Sequence, residues 1–178
     1  VAFCGFVSRQ EYQEWKNPTS LLPCFHFYER HESKKINAPA KKIIQEVKNF
    51  DFSDDIFINI LSGLRNIPSY FFKKTPNNHI QDEPFGLNTF TLLSESDNEI
   101  SMGSTGRFWR ADLGIIPQPD LESFMNFNDD SAAKLVLHFF VKPHPDGYHS
   151  LVTETFIFCP NKKVKTRFTP YWLTIGPA

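Results

Sequence analysis

No stretch of this chain holds more than a few apolar residues in succession, which excludes a membrane-spanning helix within it. A basic excess is lacking too. Lys and Arg number 19 against 20 Asp and Glu, for a net charge of −1, so a broad nucleic-acid surface is not expected. Cysteine is scarce: Cys4, Cys24 and Cys159 are an odd number with wide spacings. They form no C-x-x-C pair and no disulfide framework, which predicts a reducing, cytoplasmic setting. The six histidines show no ligand spacing such as H-E-x-x-H, so no metal site is expected, and no cofactor motif is present. P-loop, G-x-G-x-x-G and G-x-S-x-G patterns are all missing. The first residue is Val and the last four, Ile175 to Ala178, stop abruptly, so a chain trimmed at its ends is expected.

What the chain does have is phenylalanine, 19 of 178 residues, and a raised proline count of 13. That aromatic content excludes disorder, and the length suits one domain with a real core. We read residues 1–23 as an appendage and residues 24–178 as a single domain. Residues 25–37 suit an extended segment. Ala40, Ile43, Ile44 and Val47 then fall on one face of a helix that Pro39 opens. Ser53, followed by Asp54 and Asp55, is an N-cap for a second helix reaching about Arg65. Residues 73–84, with two prolines and two adjacent asparagines, read as a loop.

Strands follow. Residues 87–95 and 99–110 form a hairpin around Ser96-Asp97-Asn98. Residues 117–130 are a long connection, anchored by Leu121, Phe124 and Phe127. Residues 134–142 alternate cleanly: Leu135, Leu137, Phe139 and Val141 point one way, and Lys134, His138 and Lys142 the other, with His138 expected in solvent. After a turn at 143–147, residues 148–159 make the last strand. At roughly 3.3 Å per residue it would span about 40 Å, a length that suits a curved sheet. The tail is a helix with a stripe of Val164, Phe168, Tyr171, Trp172 and Ile175, interrupted by Pro170. Helices segregated from an antiparallel meander define an α+β fold. An aromatic terminal helix against a long curved sheet suggests that the sheet wraps it, with a candidate pocket between them.

Several stretches resemble a known family. They are Leu22-Pro23, Tyr28-Glu29-Arg30-His31, Asn37-Ala38-Pro39, Asp51-Phe52-Ser53 and Leu64-Arg65-Asn66-Ile67-Pro68. Further along come Gly103-x-x-Gly106-Arg107-Phe108-Trp109-Arg110, Ala133-Lys134-Leu135, Thr153-Glu154-Thr155, Arg167-Phe168 and Tyr171-Trp172-Leu173-x-Ile175. In this order, over residues 21–178, the chain resembles the START-like (SRPBCC, polyketide cyclase) superfamily, and within it a bacterial group of about this length. The resemblance implies a helix-grip fold. A curved antiparallel sheet wraps a C-terminal helix, with two short helices after the first strand and a largely apolar internal cavity. It implies no particular activity. Thr155-Phe156 stands where such proteins often carry Thr-Arg, and Pro170 departs from an uninterrupted last helix.

Three functions stay open. The first is a non-catalytic carrier or sensor whose partner is a hydrophobic small molecule, lipid-like or polyketide-like, with or without an acidic group. Its ligand-binding candidates are Trp109, Arg110, Glu154, Phe139, Phe156, Phe168, Tyr171 and Trp172, with Leu92 and Phe108 as further wall residues. Trp109 offers an apolar face, and Arg107 or Arg110 could fork onto a carboxylate. The second is an enzyme of cyclase or hydro-lyase type, in which Glu154 or His31 moves a proton and Arg110 steadies an oxyanion. The third is a structural or interaction domain whose interior is filled by its own Phe side chains. Glu29 and His31 share a face and read either as an acid/base pair at the pocket rim or as an ion pair tying down the sheet edge. Glu154, a carboxylate among apolar neighbours, is either bridged to an Arg or a site residue with a raised pKa.

Overall fold

The structure, a computed structural model, describes residues 19–22, 24–49, 90–110 and 112–175. Those residues form five strands and three helices: β1 (Phe27–Glu32), α1 (Ala40–Asn49), β2 (Thr91–Glu95), β3 (Glu99–Gly106), α2 (Leu121–Asn126), β4 (Ala133–Pro143), β5 (His149–Phe158) and α3 (Lys162–Ile175). The strands make one antiparallel sheet in the order β1-β5-β4-β3-β2. β2 through β5 are a meander, and β1 returns beside β5 to close the far edge. The fold is α+β. The helix expected from Ser53 and the loop at 73–84 lie outside the described residues, as does the appendage up to residue 18.

Strand alternation divides the core in two. One face, here the inner face, carries Phe27, Ile100, Met102, Leu135, Leu137, Phe139, Val141 and Ile157, and it is covered by α1 and α3. α1 buries Ile43, Ile44 and Val47, the stripe expected of it, and Lys48 pairs with Glu95 at 2.7 Å to fasten it to β2. Asn161 caps α3, its side-chain oxygen accepting from Val164 N at 3.0 Å. Val164, Phe168, Tyr171 and Trp172 are buried. Pro170 sits inside α3, whose first two turns precede it, and the helix continues past the lost hydrogen bond to Ile175. The outer face carries a smaller cluster of Leu22, Phe25, Leu93, Phe124, Val136 and Phe156.

Three expectations change in detail. The strand read as 99–110 ends at Gly106, and Phe108 and Trp109 occupy the turn after it. Gly106 hydrogen-bond pairing passes to an isolated bridge with Ile115, which leaves no ladder for the next residues. The connection 117–130 contains α2, capped by Asp120, whose carboxylate accepts from Ser123 N at 2.8 Å. This helix is too short for a periodicity signal, and its role is to set Phe124 on the outer face. His138, expected in solvent, is only 24% exposed in its side chain. Its neighbours on that face, Phe140 and Glu154, shield it.

Gly103 is required by α2. A Cβ there would lie 2.7 Å from the Phe124 ring and 2.8 Å from Leu93. It is a close-packing glycine, and the bulge falls on the partner strand at Leu92/Ser94. Gly103→Ala should destabilise the fold by about 1–3 kcal/mol, because the fully buried Phe124 must move to admit the methyl group. Urea unfolding checks this, and the loss should shrink in a Gly103→Ala/Phe124→Leu double variant.

Candidate functional site

The ladder register places the inner-face side chains in rows across the sheet. Phe27, Ile157, Leu135 and Ser104 make one row. Glu29, Thr155, Leu137 and Met102 make the next, and His31, Thr153, Phe139 and Ile100 the third. α3 packs over the first row. The Phe168 ring centroid lies 5.1 Å from Phe27, 6.5 Å from Phe108 and 5.3 Å from Tyr171, and Trp172 lies 5.5 Å from Phe27. These are ordinary aromatic packing separations. Ser104, in the same row, is 2% exposed, and its Oγ has no hydrogen-bond partner. In the second and third rows Thr153 and Thr155 are half-buried.

Glu29 and His31 share the inner face at the β1 edge, as alternation predicts. Glu29 Oε1 lies 3.1 Å from His31 Nε2. Burial pushes the Glu29 carboxyl above the usual range, against the opposing pull of the His31 charge and hydrogen bond. His31 is mostly in water, 59% exposed in its side chain. The pair therefore has the position of a rim: one member partly inside, the other at the surface.

Glu154 lies on the opposite face. The row Arg30, Glu154, His138 and Ser101 crosses four strands. The Tyr28 hydroxyl donates to Glu154 Oε1 at 2.7 Å, His138 Nδ1 lies 3.3 Å from Oε2, and Arg30 Nε is 3.8 Å from Oε1. Glu99 reaches the other His138 nitrogen at 3.6 Å. Burial is the largest single influence on Glu154 and raises its pKa. The His138 and Tyr28 hydrogen bonds and the His138 and Arg30 charges together outweigh it and hold the carboxyl below its ordinary value. Glu154 in turn keeps the Tyr28 phenol protonated, adding to its burial. A carboxylate so satisfied stays ionised and is poorly placed to give up or accept a proton near neutral pH.

The remaining candidates scatter. Arg110 is exposed and spent on Asp112, with two contacts of 2.8 Å, and Arg107 reaches Asp129 at 3.2 Å and Ser131 at 2.6 Å. Glu154 thus has an arginine neighbour, but it is Arg30. Trp109 packs half-buried against the inner cluster, and Phe139, Phe168, Tyr171 and Trp172 belong to that cluster. Phe156 belongs to the outer cluster, against Phe25 and Tyr28 at 5.2 and 5.1 Å. Leu92 is 47% exposed and is not a wall residue. The three proton- and oxyanion-handling candidates, Glu154, His31 and Arg110, are therefore on the outer face, the inner rim and an exposed turn, and do not assemble.

Tyr28, Arg30 and Ser104 become site residues only through strand register, which no single segment reveals. Alternation alone could have put Tyr28 and Arg30 on one face. Their pairing with Glu154 spans more than 120 positions of chain. No group of three or more His, Cys, Asp or Glu side chains is placed to hold a metal among the described residues, and no helix among them is long and apolar enough to cross a membrane. Comparison of the chain with family models, with curated proteins and with solved structures found no match.

Proposed function

We propose that this chain binds an apolar small molecule between the inner face of its sheet and α3, as a carrier or sensor rather than an enzyme. The carrying observation is a buried hydroxyl, Ser104 Oγ, with no partner in a mainly apolar interior lined by Leu135, Met102 and the α3 aromatics. Buried polar groups are nearly always hydrogen-bonded, and an exception is explained by a missing partner. Apolar pockets with a few placed polar groups are the usual form of small-molecule sites. The strand order, with β1 beside β5 and two helices over one face, supports the helix-grip expectation behind this reading.

A proton-moving enzyme has less support, since Glu154 is ionised and tied on the other face. The filled-core reading has its own observation: Phe27, Phe108, Phe168 and Trp172 touch at packing distances. Native mass spectrometry of protein purified from its own host separates the two. A bound apolar molecule is expected, and adding it back to stripped protein at a hundredfold excess over Kd should stabilise the fold by about 2.7 kcal/mol. Only the bare chain mass, with no thermal shift across apolar probes, would turn the assignment to a filled core.

A further inference from the structure

Resting on that binding reading, we infer that the ligand is a neutral oxygen-bearing molecule, an alcohol or ketone with an apolar body, whose oxygen meets Ser104 Oγ. The starting point is the charge map of the inner face. Among the described residues, the titratable side chains there are Glu29, His31, Glu95, His149, Cys159 and Tyr171, and burial holds the Cys159 thiol and the Tyr171 phenol in their neutral forms. Glu95 is neutralised by Lys48, which leaves the Glu29 carboxyl to repel an anion. Lys48 is spent on Glu95, and Lys165 lies over the Phe27 ring at 5.9 Å, at the margin of the interior. Arg107 and Arg110, two arginines expected to hold an acidic head, are paired to Asp129 and Asp112 away from the interior.

An acid would therefore enter, among the described residues, a face that carries the Glu29 carboxyl, with Arg107 and Arg110 paired elsewhere and Arg167 exposed on α3, and would leave its water behind. Burying an unpaired charge is far less favourable than burying a hydroxyl or carbonyl. Ser104 supplies what a neutral oxygen needs. Its hydroxyl can donate to a ketone or both donate to and accept from an alcohol. It sits opposite Leu135, two residues before Gly106 ends β3. A ligand bonded there runs its apolar body along Met102 and Leu137 toward the Glu29 and His31 rim.

The test uses three probes of equal chain length, decanol, methyl octyl ketone and decanoate, titrated into the full chain at mildly alkaline pH and followed by calorimetry. Decanol or the ketone should bind at least about tenfold more tightly than decanoate. Ser104→Ala should weaken the two neutral probes by about tenfold and leave decanoate unchanged, and should leave the apoprotein as stable or more so. Ser104→Cys, which keeps the volume and weakens the donor, should show the same loss. Glu29→Gln should improve decanoate alone. Decanoate binding best, through Lys165, would overturn this inference and leave the binding reading standing. Neutral probes that ignore Ser104→Ala and Ser104→Cys would do the same. Failure of all three probes to bind would overturn both.

Discussion

Phe168→Ala will remove about 3–5 kcal/mol of stability. Phe168 is 1% exposed and lies at the centre of the α3 contacts, with Phe27, Phe108, Tyr171 and Trp172 all around it. Its ring is the part of the terminal helix that fixes it to the sheet. The loss has a transfer part, from apolar area returned to water, and a cavity part, because the surrounding rings cannot all close the gap. Set against a typical domain stability of about 5–15 kcal/mol, such a loss leaves a marginal protein. In a domain of this size the melting temperature should fall by roughly 6–20 °C. Phe168→Leu should lose less than half as much. An alanine variant within about 1 kcal/mol of the parent by urea unfolding would mean that α3 is not held by this cluster.

The second large effect is at Glu154. Glu154→Ala should remove about 3 kcal/mol, because it strips a buried carboxylate from Tyr28, His138 and Arg30 at once and leaves their polar atoms without it. Tyr28→Phe, which deletes only the hydroxyl at 2.7 Å, should remove about 1 kcal/mol. A cycle of the two measures their coupling, and simple additivity would deny that the hydrogen bond stabilises the fold.

Acid provides an independent check on the same residue. The folded-state pKa of Glu154 is depressed relative to the unfolded chain, whose ordinary Glu value is about 4.3. Its contribution is therefore complete above that value and disappears as pH falls through the lower, folded-state pKa. The stability gap between the parent and Glu154→Gln should be constant near neutral pH and narrow in acid. Glu29 has the opposite sign: burial raises its pKa, so its ionised form is a penalty at neutral pH that lifts as pH falls. Glu29→Gln should therefore leave stability unchanged or improve it near neutrality, while Glu154→Gln lowers it.

The two carboxylates show how far sequence reading reaches. Alternation along β1 placed Glu29 and His31 on one side and Arg30 on the other, and the 3.1 Å contact follows directly from that spacing. Alternation along β5 put Val152, Glu154 and Phe156 together, which raised the question of a partner. It could not say which face of the sheet the helices cover. For that reason Glu154 and Phe156 were candidates for the same pocket as Phe139 and Phe168, although the sheet lies between them. The Trp109-Arg110 pair failed for a different reason. A turn in place of a strand at residues 107–110 turns both arginines to acids outside the interior: Arg107 to Asp129, 22 positions on, and Arg110 to Asp112, only two positions away.

By itself the sequence determined the elements whose signal is local: α1 and α3 from their apolar stripes, β4 and β5 from alternation, and the α+β class from their order. Tertiary structure alone decided which face is inner, that β1 lies beside β5, that Tyr28 and His138 share Glu154, and that Ser104 is left without a partner. The physical reason is range. A helix stripe or a strand's alternation is set by neighbours within a few positions. Strand register and the side a helix chooses follow from the free energy of burying surfaces that lie a hundred positions apart in the chain.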